Sequence, residues 1–236
     1  ERGENITISV STNAIGNFIP PFVIMKGKRF HHEFEDGFPN GTKVTMTDSG
    51  WMTEDTFIDW LRHFQKFRIP GPCILILDGH VSHRSLKALT FCESNSINLV
   101  CLPSHTTHRL QPLDRSFFKP LRTYYEEASN NFVHRTFGQR KITKFNFGSL
   151  FKTAWCRSAN PANAESGFSS CGIYPFDENV VQPHEYLPSL PETPATPSKE
   201  STSSSPSTSF RELLPTPTKV TKISNRGRPK QRACLL

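Results

Sequence analysis

Cys73-Ile74-Leu75-Ile76-Leu77-Asp78 is a five-residue apolar run that ends on a carboxylate. It follows the helix breaker Pro70-Gly71-Pro72 and is too short for a helix, so its continuous hydrophobicity predicts a strand buried on both faces. Residues 84–95 have helical character, and Ile97-Asn98-Leu99-Val100-Cys101-Leu102 supplies a second buried strand. The span 73–102 is thus a βαβ candidate, which requires a parallel strand pair and sets the fold class as α/β. A carboxylate placed where a parallel strand ends projects into the crevice that such sheets use for ligands. That makes Asp78 the most informative acid in the chain, although Asp78-Gly79 also fits an ordinary turn.

Upstream, Ile6, Ile8 and Val10 alternate with polar residues, Asn13 to Asn17 has turn chemistry, and Phe18 to Lys26 is apolar again. This pattern predicts a hairpin, with Pro20 and Pro21 marking its second strand as an edge or a late start. Thr53 is an N-cap candidate, with Glu54 and Asp55 in the first turn and Phe57, Trp60, Leu61, Phe64 and Phe67 at helical spacing as core. Downstream, Phe117 to Ala128 predicts an amphipathic helix kinked at Pro120, and Leu150 to Cys156 predicts another. Asn160-Pro161 supplies the cap and first residue of a last short helix.

The 236 residues are 35% hydrophobic, which allows one sizeable core, and no run approaches the roughly 18 apolar residues of a spanning helix. Six scattered cysteines without a Cys-x-x-Cys pair predict reduced intracellular thiols, with Cys73 and Cys101 as small buried hydrophobes. Composition changes near Leu187, beyond which Pro, Ser and Thr dominate. A folded domain is therefore expected over 1–186 and a disordered basic tail over 187–236, where eight Lys/Arg face three acids. In that tail Arg226-Gly227-Arg228-Pro229-Lys230 has the core of an AT-hook, whose arginines suit the narrow minor groove of A·T-rich DNA. The alternative is a basic nuclear-import signal, and the two uses are compatible.

A second dense segment, Leu102-Pro103-Ser104-His105-Thr106-Thr107-His108-Arg109-Leu110-Gln111-Pro112-Leu113-Asp114, brings another acid to the start of a helix, where the dipole alone also favours it. Ile74 to His83 and Leu102 to Asp114 together closely resemble the DDE endonuclease domain of pogo/Tigger/jerky-type transposases and their domesticated relatives. Further landmarks of that family are similar in Pro20 to Lys28, Gly50-Trp51-Met52, Gly167-Phe168 and Gly172-Ile173-Tyr174-Pro175-Phe176, so the resemblance spans about 1–180.

The resemblance implies an RNase H-like mixed sheet flanked by helices, with three carboxylates holding two Mg²⁺ or Mn²⁺ ions for DNA strand cleavage and transfer. Asp78 and Asp114 correspond to the second and third acids. The first lies, in such proteins, on a strand before the hairpin, and the chain starts on Glu1 rather than Met, so an incomplete metal site is expected here. Asp48 lies after the hairpin, where the family places no ligand. His80, His83, His105 and His108 have pairwise spacing for zinc, but thiolates are absent and the resemblance places both pairs beside the acids. There they are expected to contact phosphate or orient a carboxylate.

Residues 109–144 hold eight Lys/Arg against three acids, interleaved with Tyr124, Tyr125, Phe132 and Phe137. Arg109, Arg115, Lys119 and Arg122 are candidates for a DNA-facing stripe, alongside Arg226, Arg228 and Lys230 of the tail; an ordinary solvated helix face fits the former equally. The expectation is a nuclear, transposase-derived endonuclease domain that binds DNA. The alternative is a domesticated, catalytically inactive nuclear DNA-binding protein.

Overall fold

The computed structural model describes residues 5–78, 85–103 and 106–180, with the backbone of 231–235. The expected hairpin is formed by β1 (Ile6–Thr12) and β2 (Phe18–Lys26), whose turn is closed by Asn13 Oδ1 accepting from the Ile15 and Asn17 amides at 3.2 and 2.8 Å. Pro20 and Pro21 lie inside β2 rather than before it. They are tolerated because β3 (Lys43–Thr47) joins β2, in parallel, only from Phe22 onward, and because the β1 register shifts between Ser9 and Ser11 opposite them. A residue without an N–H fits where the ladder has no acceptor to meet.

After β3, α1 (Glu54–Phe67) starts on the predicted cap: Thr53 Oγ1 accepts from the Thr56 amide, while the Thr53 amide donates to Thr56 Oγ1 at 2.7 Å. Phe57, Trp60, Leu61 and Phe64 are buried against Phe22, Ile24, Leu75 and Leu77, each contributing on the order of 2 kcal/mol. Phe67, expected among them, is partly exposed in the last turn and packs on His63. Next come β4 (Cys73–Leu77), α2 (Leu86–Ser94) and β5 (Ile97–Cys101), with β4 and β5 parallel as the βαβ reading requires.

The helices α3 (Thr107–Leu110), α4 (Pro112–Ser116), α5 (Phe118–Arg135), α6 (Lys144–Ser158) and α7 (Pro161–Ser170) follow. Pro120 does not kink α5. It stands in the first turn, and the first intrahelical bond is made by the next residue, Leu121 N–H to Phe117 O at 3.1 Å, so no bond is lost. Asn160 caps α7 as expected, accepting from the Asn163 amide at 2.9 Å.

The strands form one mixed sheet in the order β3-β2-β1-β6-β4-β5, with β6 (Gln231–Leu235) parallel to β1 and antiparallel to β4. α1 and α2 cover one face, and α4, α5 and α6 cover the other around Phe117, Phe151 and Trp155. This is the RNase H-like arrangement expected. It departs from expectation in two places. First, β4 and β5 are covered on one face only: Leu75 and Leu77 are buried, whereas Ile74 and Val100 are 57% and 44% exposed and Cys101 faces solvent. The second helix layer centres on β1 to β3 and reaches β4 only at Ile76. Second, Gln231–Leu235, within the segment expected to be disordered, is a strand of the sheet.

Candidate active site

Direction in the sheet decides which loops share an edge. β1 and β6 run one way and β2, β3, β4 and β5 the other, so Lys26, Thr47, Leu77 and Cys101 all end at the same edge. At the opposite edge the turn residue Asn13 lines one pocket with Arg68, Pro70, Cys73 and Ile74, which fixes β1 antiparallel to β4 by a separate set of contacts. Asp78 therefore sits at the C-terminal edge, the position where α/β sheets bind ligands. It directly follows β4, whose end is clamped by the Leu102 amide donating to Leu77 O at 2.8 Å, and its Oδ1 is withdrawn from solvent.

Asp114 comes near enough for the Asp78 charge to act on it. It stands in the first turn of α4, which starts on Pro112 and is held by α7. Ser116 Oγ donates to the carbonyl of Asn163, and Gly167 lets the α7 backbone approach Pro112 so closely that a Cβ there would lie 2.6 Å from the Pro112 oxygen. This close contact gives a physical role to the Gly167-Phe168 landmark: it sets the height of α4 and with it the Asp114 carboxylate.

Asp114 senses the charge of Asp78. The Asp114 pKa is pushed up to about 6, first by desolvation and then by the Asp78 charge, while His108 nearby works in the opposite direction. Cys171, which sequence reasoning missed, lies at the end of α7 near enough for Asp114 and Arg115 to act on it; burial pushes its thiol up to about 11. No residue spacing announced it, because α7 brings it in from 57 positions away from Asp114.

A carboxylate whose proton affinity is raised by burial and by a second carboxylate is part of a donor set that suits a hard divalent cation, which relieves the repulsion. Among the described residues no group of three or more His, Cys, Asp or Glu side chains gathers to hold an ion. His108 is the one candidate support histidine within the described residues; His80, His83 and His105 lie outside them, as do Arg226, Arg228 and Lys230. Asp48 is exposed in the turn after β3.

Of the proposed DNA-facing stripe, Arg115, Lys119 and Arg122 are exposed along α4 and α5, and Arg109 is half-buried. Arg122 pairs with Glu126 at 2.9 Å. The stripe's aromatics divide: Tyr125 packs on Phe147, Tyr124 lies under the Arg157 guanidinium at 3.8 Å, and Phe132 is half-buried, whereas Phe137 is 89% exposed.

A mixed sheet with helices on both faces, one acid at a strand end and a second on a helix beside it is the architecture of an RNase H-like nuclease domain. The chain belongs to the DDE superfamily endonuclease family, whose model matches residues 3–168. It is 30% identical to human Pogo transposable element with KRAB domain over 179 residues, 71% of this chain and 29% of that protein, and 29% identical to the mouse counterpart over the same length. It is also 33% identical over 235 residues to a protein of Cochliobolus lunatus named MFS-type transporter clz9, covering 96% of this chain and 24% of that one. Among the described residues no helix is long and apolar enough to cross a membrane. The chain thus spans about a quarter of the length of the curated relatives it matches. No solved structure matches it.

Proposed function

We propose that this chain is the catalytic-domain portion of a transposase-derived DNA endonuclease, in which Asp78 and Asp114 hold Mg²⁺ or Mn²⁺ against DNA phosphate. The observation that carries this is Asp78 at the C-terminal edge of the sheet with Asp114 near enough to feel its charge, the Asp114 pKa being pushed up to about 6 by desolvation and then by that charge. Ions bound there supply activation of a water or 3′-hydroxyl and stabilisation of the leaving oxygen. The protein's own part is positional: β4 fixes Asp78, α4 pinned by α7 fixes Asp114, and His108 supplies a donor beside them. Arg109, Arg115, Lys119 and Arg122 extend from the acids as phosphate contacts. Contact with phosphate or orientation of a carboxylate is the role assigned to His80, His83 and His105, and minor-groove contact and nuclear import that of Arg226, Arg228 and Lys230 in the segment after 186.

A second reading, a nuclear DNA-binding protein without strand cleavage, is favoured by one observation: the described residues bring together two acids and no third.

Metal binding tests the proposal without relying on turnover. Mn²⁺ at about tenfold above its Kd is expected to raise the Tm by about 4 °C. Asp114→Asn is expected to lose that shift and, in metal-free buffer, to melt higher than the parent because the like-charge contact is gone. A parent chain indifferent to millimolar Mn²⁺, or an Asp114→Asn variant that keeps the shift, would sink the proposal. Between the two readings, this chain is expected not to nick supercoiled plasmid; Mg²⁺-dependent nicking abolished by Asp78→Ala would reject the second.

A further inference from the structure

The end of α5 is built in an unusual way. Gly138 N–H donates to Val133 O at 2.9 Å and Phe137 N–H to His134 O at 3.1 Å, the paired bonds of a Schellman motif. In that motif the residue after the cap takes a left-handed conformation, and glycine is the usual occupant because it has no Cβ to clash. Here the position is held by Phe137 at φ +50°, followed by Gly138 at φ +71°. A phenylalanine that accepts backbone strain normally regains it through packing, yet this ring is 89% exposed. Backbone strain combined with a solvent-facing aromatic points to a use outside the fold.

The surroundings say which use. From Ala128 to Ala164 the chain contains six Lys/Arg and no acid. Arg135, Arg140 and Lys141 are exposed on either side of Phe137. The turn leads directly into α6, whose first residue, Lys144, donates from Nζ to Lys26 O at 2.7 Å. Lys26 ends β2, so the turn opens at the same edge of the sheet as Asp78.

We propose that Phe137 is a nucleobase-stacking residue: its ring lies on an unpaired base of a DNA strand whose phosphates are held by Arg135, Arg140 and Lys141. A flat, exposed ring between cations is the combination that single-stranded nucleic acid requires, since every base offers a π-face and every link a negative charge. The inference rests on DNA being the substrate, and it adds that the strand is read at an unstacked position.

Phe137→Gly tests it with an internal control for folding, because glycine suits the left-handed position better than phenylalanine. The full 236-residue chain is titrated into a single-stranded oligonucleotide carrying 2-aminopurine and into the matched duplex. Phe137→Gly is expected to keep or raise the Tm, to weaken single-strand binding about 10-fold and to abolish the change in 2-aminopurine fluorescence. The duplex affinity and the salt slope should change little. By contrast, Arg140→Gln with Lys141→Gln should lower the salt slope for both substrates, by about 2 counterions at most. Equal single-strand affinity of Phe137→Gly and parent overturns the stacking site while leaving the nuclease reading intact. A parent chain that binds neither oligonucleotide overturns both.

Discussion

His63 is buried in α1, and its Nε2–H donates to Pro20 O at 2.8 Å across to β2. Desolvation holds its pKa below the usual histidine value, the Pro20 bond opposes that, and the cations of Lys43 and Lys66 add to the lowering. The folded state therefore resists protonation more than the unfolded chain does. Above the unfolded pKa, about 6.5, both states are neutral and stability is unaffected; as pH falls below it the unfolded state alone takes the proton and stability declines. A Tm that drops between pH 7.5 and 5.5, with a smaller drop in His63→Gln, checks this. An equal drop in both would show that other groups govern the acid limb. Nothing in the sequence marked His63, because what matters is its partner 43 residues away. Asp78 and Asp114 were legible, since each is anchored by a local pattern, a strand end or a helix start. Their coupling was not, because it depends on how α7 seats α4. Phe137 was legible only as one aromatic among four; the Schellman geometry that exposes it appears in the backbone.

Among the elements, the C-terminal end of α1 is tied to two later segments by one side chain. Arg68 is buried, with Nε donating to Gln65 Oε1 at 2.6 Å, one Nη to Gly71 O and the other to Asn95 O at 2.7 Å. It thereby joins α1, the Pro70-Gly71-Pro72 turn and the α2–β5 turn at the entrance to the βαβ unit. Arg68→Ala removes the charged donor from the Gly71 and Asn95 carbonyls and is expected to cost about 2 kcal/mol, while Arg68→Lys, lacking the planar fork, recovers only part of it. Urea melts with unchanged m-values would measure the loss, and a cost under about 0.5 kcal/mol would show that water replaces the guanidinium. Local chemistry made α1, α7 and the hairpin readable, because caps and alternation act within a few residues. The exposed face of β4 and β5 was not readable. Ile74 and Val100 have the same composition as a doubly buried strand, and only the extent of the second helix layer decides which residues it covers.

At the scale of the whole molecule, the sheet is continuous only because β6 stands between β1 and β4. Its ladder is short: Gln231 to Ala233 pair with Ile8 to Val10, and Cys234 and Leu235 pair with Leu77 and Ile76. β1 is buried along all seven residues and already holds β2 on its other side, so any further strand that pairs with β1 must take the edge β6 now fills. Asp78 follows the β4 residue that β6 pairs, so the occupant of this slot also borders the acid site. Removing residues 227–236 uncovers two ladder edges in the middle of the sheet, a far more costly place than its rim. The truncated chain is expected to melt several degrees lower, to exchange the amides of Ile8 to Val10, Ile76 and Leu77 faster, and to self-associate. A synthetic peptide of residues 229–236 added in trans should restore that protection, because the slot recognises backbone. Unchanged exchange at these amides after truncation would mean that β6 contributes nothing to the sheet in solution, and protection restored equally by a scrambled peptide would mean that the slot accepts strands without regard to sequence.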